Sequence, residues 1–300
     1  MGFSFLQYDV FTGEPLLGNQ LAVFTDARGL DADRMQRIAR EMNFSESTFI
    51  LPAERDDTDI RMRIFTPYIE MPMAGHPTVG STFALAATGA IAPQTARFTF
   101  GLNVGPTPVD LEWNGSRLRF AWMTQTTPVF GPAVDDRAAV AAALSLTAND
   151  LAPGLPIQEV SCGVAFLLVP LRDREAVDRA ISDAAAVRRL DVLSKAHPAI
   201  FLFAMAPPGS TETVYSRMFA PSFGITEDPA TGSASGPLGC YLVQHGLVSG
   251  VAAQRIVSLQ GNKMGRASRI HIAITGAPDA IARVKVGGEA VLVAHGELLI

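Results

Sequence analysis

Four side chains able to move protons or attack a carbon stand at marked places in this chain: Glu46, His76, Asp228 and Ser233. A carboxylate and an imidazole are the usual carriers of protons at neutral pH. A serine with a histidine and an aspartate can instead form a nucleophilic triad. What marks these residues is an internal repeat. Residues 63–89 and 217–246 both open with Arg, an apolar residue, Phe, a small residue and Pro. Glu70 to His76 then lines up with Glu227 to Ser233, and each copy runs 14 residues from one glycine to the next, Gly75 to Gly89 and Gly232 to Gly246. In that alignment Met71 falls against Asp228 and His76 against Ser233. By order of elements, Glu46 in the strand Phe44–Leu51 falls against Ala199. What the copies share builds scaffold; where they differ in polar residues, a site can be asymmetric.

Taken singly, each residue has an ordinary reading. Glu46 lies between Ser45 and Ser47 at the head of a strand and can simply be solvated. His76, Asp228 and Ser233 are common helix-entry residues. Their joint occurrence as polar exceptions in a duplicated scaffold favours a functional reading.

The elements that must position them follow from periodicity. Residues 3–11 and 20–25 read as strands, and Asp31 to Met42 as an amphipathic helix capped by Asp31. Gly75 to Gly89 reads as a helix with Pro77 in its first turn and no charge in its body, so it is buried on every side. The second half repeats the order, with helices at Ala138–Leu146 and Arg174–Asp183 and strands at Phe166–Val169 and Ile200–Met205. The stretch Gln125–Pro132, with its prolines, glycine and threonines, reads as a linker. The expected class is α+β: two pseudo-symmetric lobes, each a mostly antiparallel, barrel-like sheet around a central apolar helix. The expected lobes are 1–127, completed by a strand within 289–300, and 128–288. Both repeat helices begin at a glycine, where unpaired N–H groups and the helix dipole suit an anion, at about 1 kcal/mol per terminus. Two such termini facing one cleft would seat a small carboxylate.

Composition excludes other classes. The chain has 300 residues, 48% hydrophobic and 18% charged, with a net charge of −5. It carries no basic block for nucleic acid and no apolar run long enough to span a bilayer. Its opening residues show no signal-peptide pattern, which makes the sequons at Asn43 and Asn114 uninformative. Two cysteines, Cys162 and Cys240, make no disulfide framework and fit a reducing cytoplasm. The histidines, His76, His197, His245, His271 and His295, lack metal-ligand spacing. No dinucleotide or phosphate loop is present, and Gly232-Ser233-Ala234-Ser235-Gly236 has Ala234 where a nucleophile elbow needs serine.

The run Tyr8-Asp9-Val10-Phe11, Gly18-Asn19, Asn43-Phe44-Ser45-Glu46-Ser47, Gly75-His76-Pro77-Thr78 and Glu227 to Ala234 together resemble the phenazine-biosynthesis isomerase (PhzF-like) family, over nearly the whole chain. The resemblance implies a diaminopimelate-epimerase-like fold, a site between two lobes, a homodimer and no cofactor. Related epimerases place a cysteine at each helix start; here His76 and Ser233 stand there, so a two-thiol racemase is not implied. Carried over, Glu46 is the acid/base, His76 and Asp228 position the substrate and tune the site, and Asn19, Gly75, Gly232 and Ser233 contact it. The expected reaction is proton transfer on a small carboxylate-bearing substrate, with a Ser233/His76/Asp228 hydrolase and a catalytically silent binding protein as rivals. A fluorophosphonate probe separates the first two: the hydrolase forms a covalent adduct at Ser233 and the isomerase forms none.

Overall fold

A computed structural model describes residues 2–190 and 199–300; His197 lies outside the described residues. In chain order the elements are β1 (Gly2–Val10), β2 (Asn19–Phe24), α1 (Ala32–Met42), β3 (Glu46–Leu51), β4 (Ile60–Phe65), β5 (Glu70–Met71), α2 (Gly75–Ala87), β6 (Arg97–Leu102), β7 (Gly105–Asn114), β8 (Arg117–Gln125) and β9 (Val129–Ala133). Next come α3 (Arg137–Ala143), β10 (Gln158–Ser161), β11 (Ala165–Pro170), α4 (Arg174–Arg179), α5 (Ala184–Arg189), β12 (Ile200–Met205), β13 (Val214–Ala220) and β14 (Ile225–Asp228). The rest are α6 (Gly232–Gln244), β15 (Ile256–Gln260), β16 (Ser268–Ala277), β17 (Ala280–Gly288) and β18 (Ala290–Leu299). The chain divides into two units: Met1–Gln125 with Lys285–Ile300, and Thr126–Val284.

The first unit is a mainly antiparallel sheet. β18 pairs with β1 and β1 with β2. β2 runs parallel to β3, β3 antiparallel to β4, and β4 holds both β5 and, in parallel, β6. β6, β7 and β8 continue as a meander. Helix α2 packs against β1, β2, β3, β8 and β18. Eleven of its residues, from Gly75 to Leu85, are buried. An apolar, uncharged helix suits a place inside such a wrap. The opposite face of the sheet is covered by α1, where Met35, Ile38 and Ala39 meet Phe24, Phe49 and Phe65.

The second unit repeats this plan. β10 pairs with β9 and β11, β11 runs parallel to β12, β12 is antiparallel to β13, and β13 holds β14 and, in parallel, β15. Helix α6 packs on β10, β11 and β16. The two buried helices end alike: Gly89 and Gly246 adopt left-handed φ of 79° and 69° just past the cap, a conformation glycine takes without strain.

Two expectations are corrected. The segment Arg174–Asp183 is not one helix. Its backbone turns away after Arg179, where Ile181 and Asp183 donate to the carbonyls of Leu144 and Ala143. Asp183 then caps the next helix through Ala185 and Ala186. The expected linker Gln125–Pro132 is only partly one, because Val129 and Phe130 already pair with β10.

The shared Arg-apolar-Phe opening has a physical role in each unit. Arg63 holds Glu70 with both Nε and Nη2, at 2.8 and 2.6 Å. Arg217 holds Glu227 in the same fork, both bonds at 2.8 Å. Each guanidinium also lies over the phenylalanine two residues on, at 5.1 Å from Phe65 and 4.8 Å from Phe219. The fork pins β5 to β4 and β14 to β13 next to the helix starts. Arg217 is the more buried, 8% exposed against 20% for Arg63. It also donates to the carbonyls of Val177 and Ala180. Breaking a buried, hydrogen-bonded pair is costly. Arg217→Met is expected to cost about 3 to 5 kcal/mol and Arg63→Met about half as much, read from urea midpoints. Equal losses would deny the difference in burial its effect.

Candidate active site

Strand alternation aims Glu46. On β3, Phe49 faces the α1 side, while Thr48 faces α2 and shares a hydroxyl–hydroxyl hydrogen bond of 2.8 Å with Ser81. Glu46 is two residues before Thr48 and so projects toward α2 as well. It arrives at the helix start, with Oε2 3.6 Å from His76 Nε2. The two side chains are 12% and 4% exposed. That separation exceeds a direct hydrogen bond. Burial pushes the imidazole down to about 3, opposed only by a hydrogen bond with the Gln20 backbone. The pair is therefore a carboxyl beside a neutral ring.

The ring is held from a second side. Asn19, at the head of β2, places Nδ2 3.3 Å from His76 Nδ1, and Ser45 donates its hydroxyl to Asn19 Oδ1 at 2.8 Å. Asn19, Glu46, His76 and Gly75 are thus brought together at one end of the first unit. The Ser45–Asn19–His76 chain is invisible in the sequence, where the three residues are far apart; only the parallel pairing of β2 with β3 makes them neighbours.

In the second unit, Asp228 ends β14 and is 5% exposed. Its Oδ2 accepts the Thr231 hydroxyl at 2.5 Å. Gly232 and the half-buried Ser233 follow at the start of α6. Neither α2 nor α6 has a side-chain cap on its N-terminus, so their first N–H groups are not claimed by a capping side chain. Strand register fixes the correspondence of the units. Ser47 pairs with Phe65 and Ile200 with Phe219, which sets Glu46 against Ala199. Met71 pairs with Ile64 and Asp228 with Met218, which sets those two against each other.

Cys162 and Cys240 are away from the helix starts. Their sulfurs lie 3.8 Å apart in the second core, and that contact together with burial pushes the Cys162 thiol up. It stays protonated, a poor base. Among the described residues no three His, Cys, Asp or Glu side chains converge on a metal-sized site. No helix among them is long and apolar enough to cross a membrane.

The fold places the chain in the proline-racemase and diaminopimelate-epimerase-like class. A hydroxyproline epimerase of Agrobacterium vitis superposes with a TM-score of 0.66 at 12% identity, covering 99% of this chain and 92% of that one, a likeness of fold alone. A Bacillus anthracis phenazine biosynthesis protein of the PhzF family superposes with a TM-score of 0.89 at 29% identity over 100% of both chains. The trans-2,3-dihydro-3-hydroxyanthranilate isomerase of Pseudomonas aeruginosa is 36% identical over 288 residues, 96% of each chain. The family described as phenazine biosynthesis-like protein matches residues 8–296. The chain belongs to this PhzF family and is an isomerase of it.

The depressed His76 has a consequence for stability. An unfolded imidazole takes up a proton below about pH 6.5, whereas the folded one resists until about 3. Its contribution is full above 6.5 and is lost as the pH falls toward 3. Wild type should lose about 2 kcal/mol more than His76→Asn between about pH 7.5 and about pH 5, read from urea midpoints. Equal losses would show that His76 titrates normally.

Proposed function

We propose that the protein is a cofactor-independent isomerase that moves a proton on a small carboxylate-bearing substrate, with Glu46 as the group that takes and returns it. The observation that carries this reading is a carboxyl and a neutral imidazole side by side, nearly dry, at the uncapped start of α2. A carboxyl in such a place can act as base and then as acid, provided that its proton affinity sits near working pH. The neutral ring of His76 leaves that proton to Glu46, because a ring pushed down to about 3 takes up no second proton at neutral pH. Asn19 keeps the ring facing the carboxyl.

In this reading the substrate is a small carboxylic acid. Its carboxylate is taken by N–H groups at the starts of α2 and α6, near Gly75, Gly232 and Ser233. Asp228 holds the opposite side, as a carboxylate that orients an amine or hydroxyl. Alignment of the reacting carbon with Glu46 supplies much of the acceleration, and the positioned acid/base adds ~10² to 10⁴-fold. The relative from P. aeruginosa is named for a cyclic dihydro-hydroxy-anthranilate, which makes a cyclic amino acid the first substrate to try. The same reading makes the protein a cytoplasmic homodimer.

The test is proton exchange in D₂O followed by NMR over trans-2,3-dihydro-3-hydroxyanthranilate and a panel of cyclic and amino carboxylic acids. Deuterium should enter at one carbon with wild type. Glu46→Gln should keep the fold and lose that exchange by about 10²-fold or more. Near wild-type exchange by Glu46→Gln would remove Glu46 from the role, and ligand binding with no exchange in the wild type would favour a silent binding protein.

A further inference from the structure

The second unit buries a polar cluster where the first unit is apolar. Asp228, Thr231 and Gln260 are 5%, 6% and 0% exposed. Their counterparts follow from register. Asp228 matches Met71, each one pairing with the same place on the neighbouring strand. Thr231 matches Ala74, both the residue before the buried helix. Gln260 ends β15 as Leu102 ends β6, and those strands run parallel to β13 and β4 in the same register. The first unit therefore builds the same hairpin, strand end and helix start with Met71, Ala74 and Leu102. The scaffold does not need the polar groups.

Their hydrogen bonds have only one consistent set of directions. The backbone N–H of Thr231 must donate, and it does so to Gln260 Oε1 at 3.0 Å. The Asp228 carbonyl must accept, and it does so from Gln260 Nε2 at 2.7 Å. The glutamine amide is thereby oriented by two groups of fixed polarity. Its Nε2 also donates to Thr231 Oγ1 at 2.9 Å. With that hydroxyl already accepting, its own proton goes to Asp228 Oδ2, 2.5 Å away. Oδ2 is then an acceptor, and the Asp228 carboxyl is tied through that oxygen to the start of α6. Gly261 lets the end of β15 come this close: a Cβ there would lie 2.5 Å from the Pro229 carbonyl.

We propose that Thr231 and Gln260 are positioning residues for catalysis, which hold Asp228 as an aimed, proton-accepting carboxylate. This rests on the reading of Asp228 given above. It adds that the aim comes from Thr231 and Gln260, one donor relayed through another. Such networks lose more than one bond when a member is removed.

Crystal structures and kinetics of Thr231→Val, Thr231→Ser and Gln260→Leu test this. Valine keeps the shape of threonine without the hydroxyl, serine restores the hydroxyl, and leucine is the first unit's own residue. In Thr231→Val and Gln260→Leu the Asp228 carboxylate should turn out of its wild-type plane, and in Thr231→Ser it should not. Exchange into whichever panel acid the wild type accepts should fall about tenfold or more in kcat for the first two, with KM little changed, and recover in Thr231→Ser. An Asp228 that keeps its plane in both variants overturns the proposal even if Glu46 proves essential. If the wild type exchanges nothing, the reaction reading fails, and the proposed role in catalysis with it. A Gln260→Leu chain that does not fold makes the amide scaffold and overturns its assignment, while Thr231→Val still decides for the hydroxyl.

Discussion

In each unit one arginine grips one glutamate with two parallel hydrogen bonds, Arg63 with Glu70 and Arg217 with Glu227. The fork decides where the short strand after the hairpin lies, and that strand runs straight into the start of the buried helix. A bidentate guanidinium–carboxylate pair is directional as well as strong. A lysine at either position would supply charge without the geometry. The face of each arginine on its phenylalanine fixes the plane of the fork from the other side. His76 and Ser233 sit at those two helix starts, with Glu46 and Asp228 beside them, so the placement of the site begins with the arginine–glutamate pair.

The units share a scaffold but divide the polar groups between them. The first carries Glu46 and Asn19 where the same register in the second gives Ala199 and Val164. The second carries Asp228, Thr231 and Gln260 where the first has Met71, Ala74 and Leu102. Burying a polar group has a cost unless its partners come with it. The second cluster meets that condition within its own unit, Asp228 through Thr231; in the first, Asn19 reaches His76 Nδ1, while His76 Nε2 and Glu46 Oε2 are buried 3.6 Å apart without a hydrogen bond between them. Duplication supplies two equivalent niches, and divergence furnishes each with a different set of polar groups.

Much of this is legible in the sequence because the repeat is long and its glycines fall at fixed distances. The alignment alone sets Met71 against Asp228 and His76 against Ser233. The order of elements sets Glu46 against Ala199. Other parts need the third dimension. Arg63 and Glu70 are seven residues apart, and it is the antiparallel register, with Glu70 opposite Phe65, that brings Glu70 diagonally within reach of Arg63. Gln260 lies far from Asp228 in the chain and meets it only because β15 runs beside β13. The break at Ala180–Asp183 is decided by hydrogen bonds to the end of α3, a tertiary contact that overrides a helical pattern.

The pairing of β18 with β1, from Gly2 opposite Leu299 to Val10 opposite Ala290, bears on how the chain is made. The second unit is one continuous segment and has all its strands up to Val284 before β18 exists. The first unit has α2 early, yet a strand that packs on α2 comes on the order of 200 residues later. At translation speeds of about 5 to 20 residues per second, the delay is on the order of 10 to 40 s. Through that interval an uncharged helix core lacks part of its cover, while the lobe synthesised later is free to finish first. Closing so long a loop costs little more than closing a shorter one, since the entropy grows only with the logarithm of length. The expense is in time and in exposure of apolar surface.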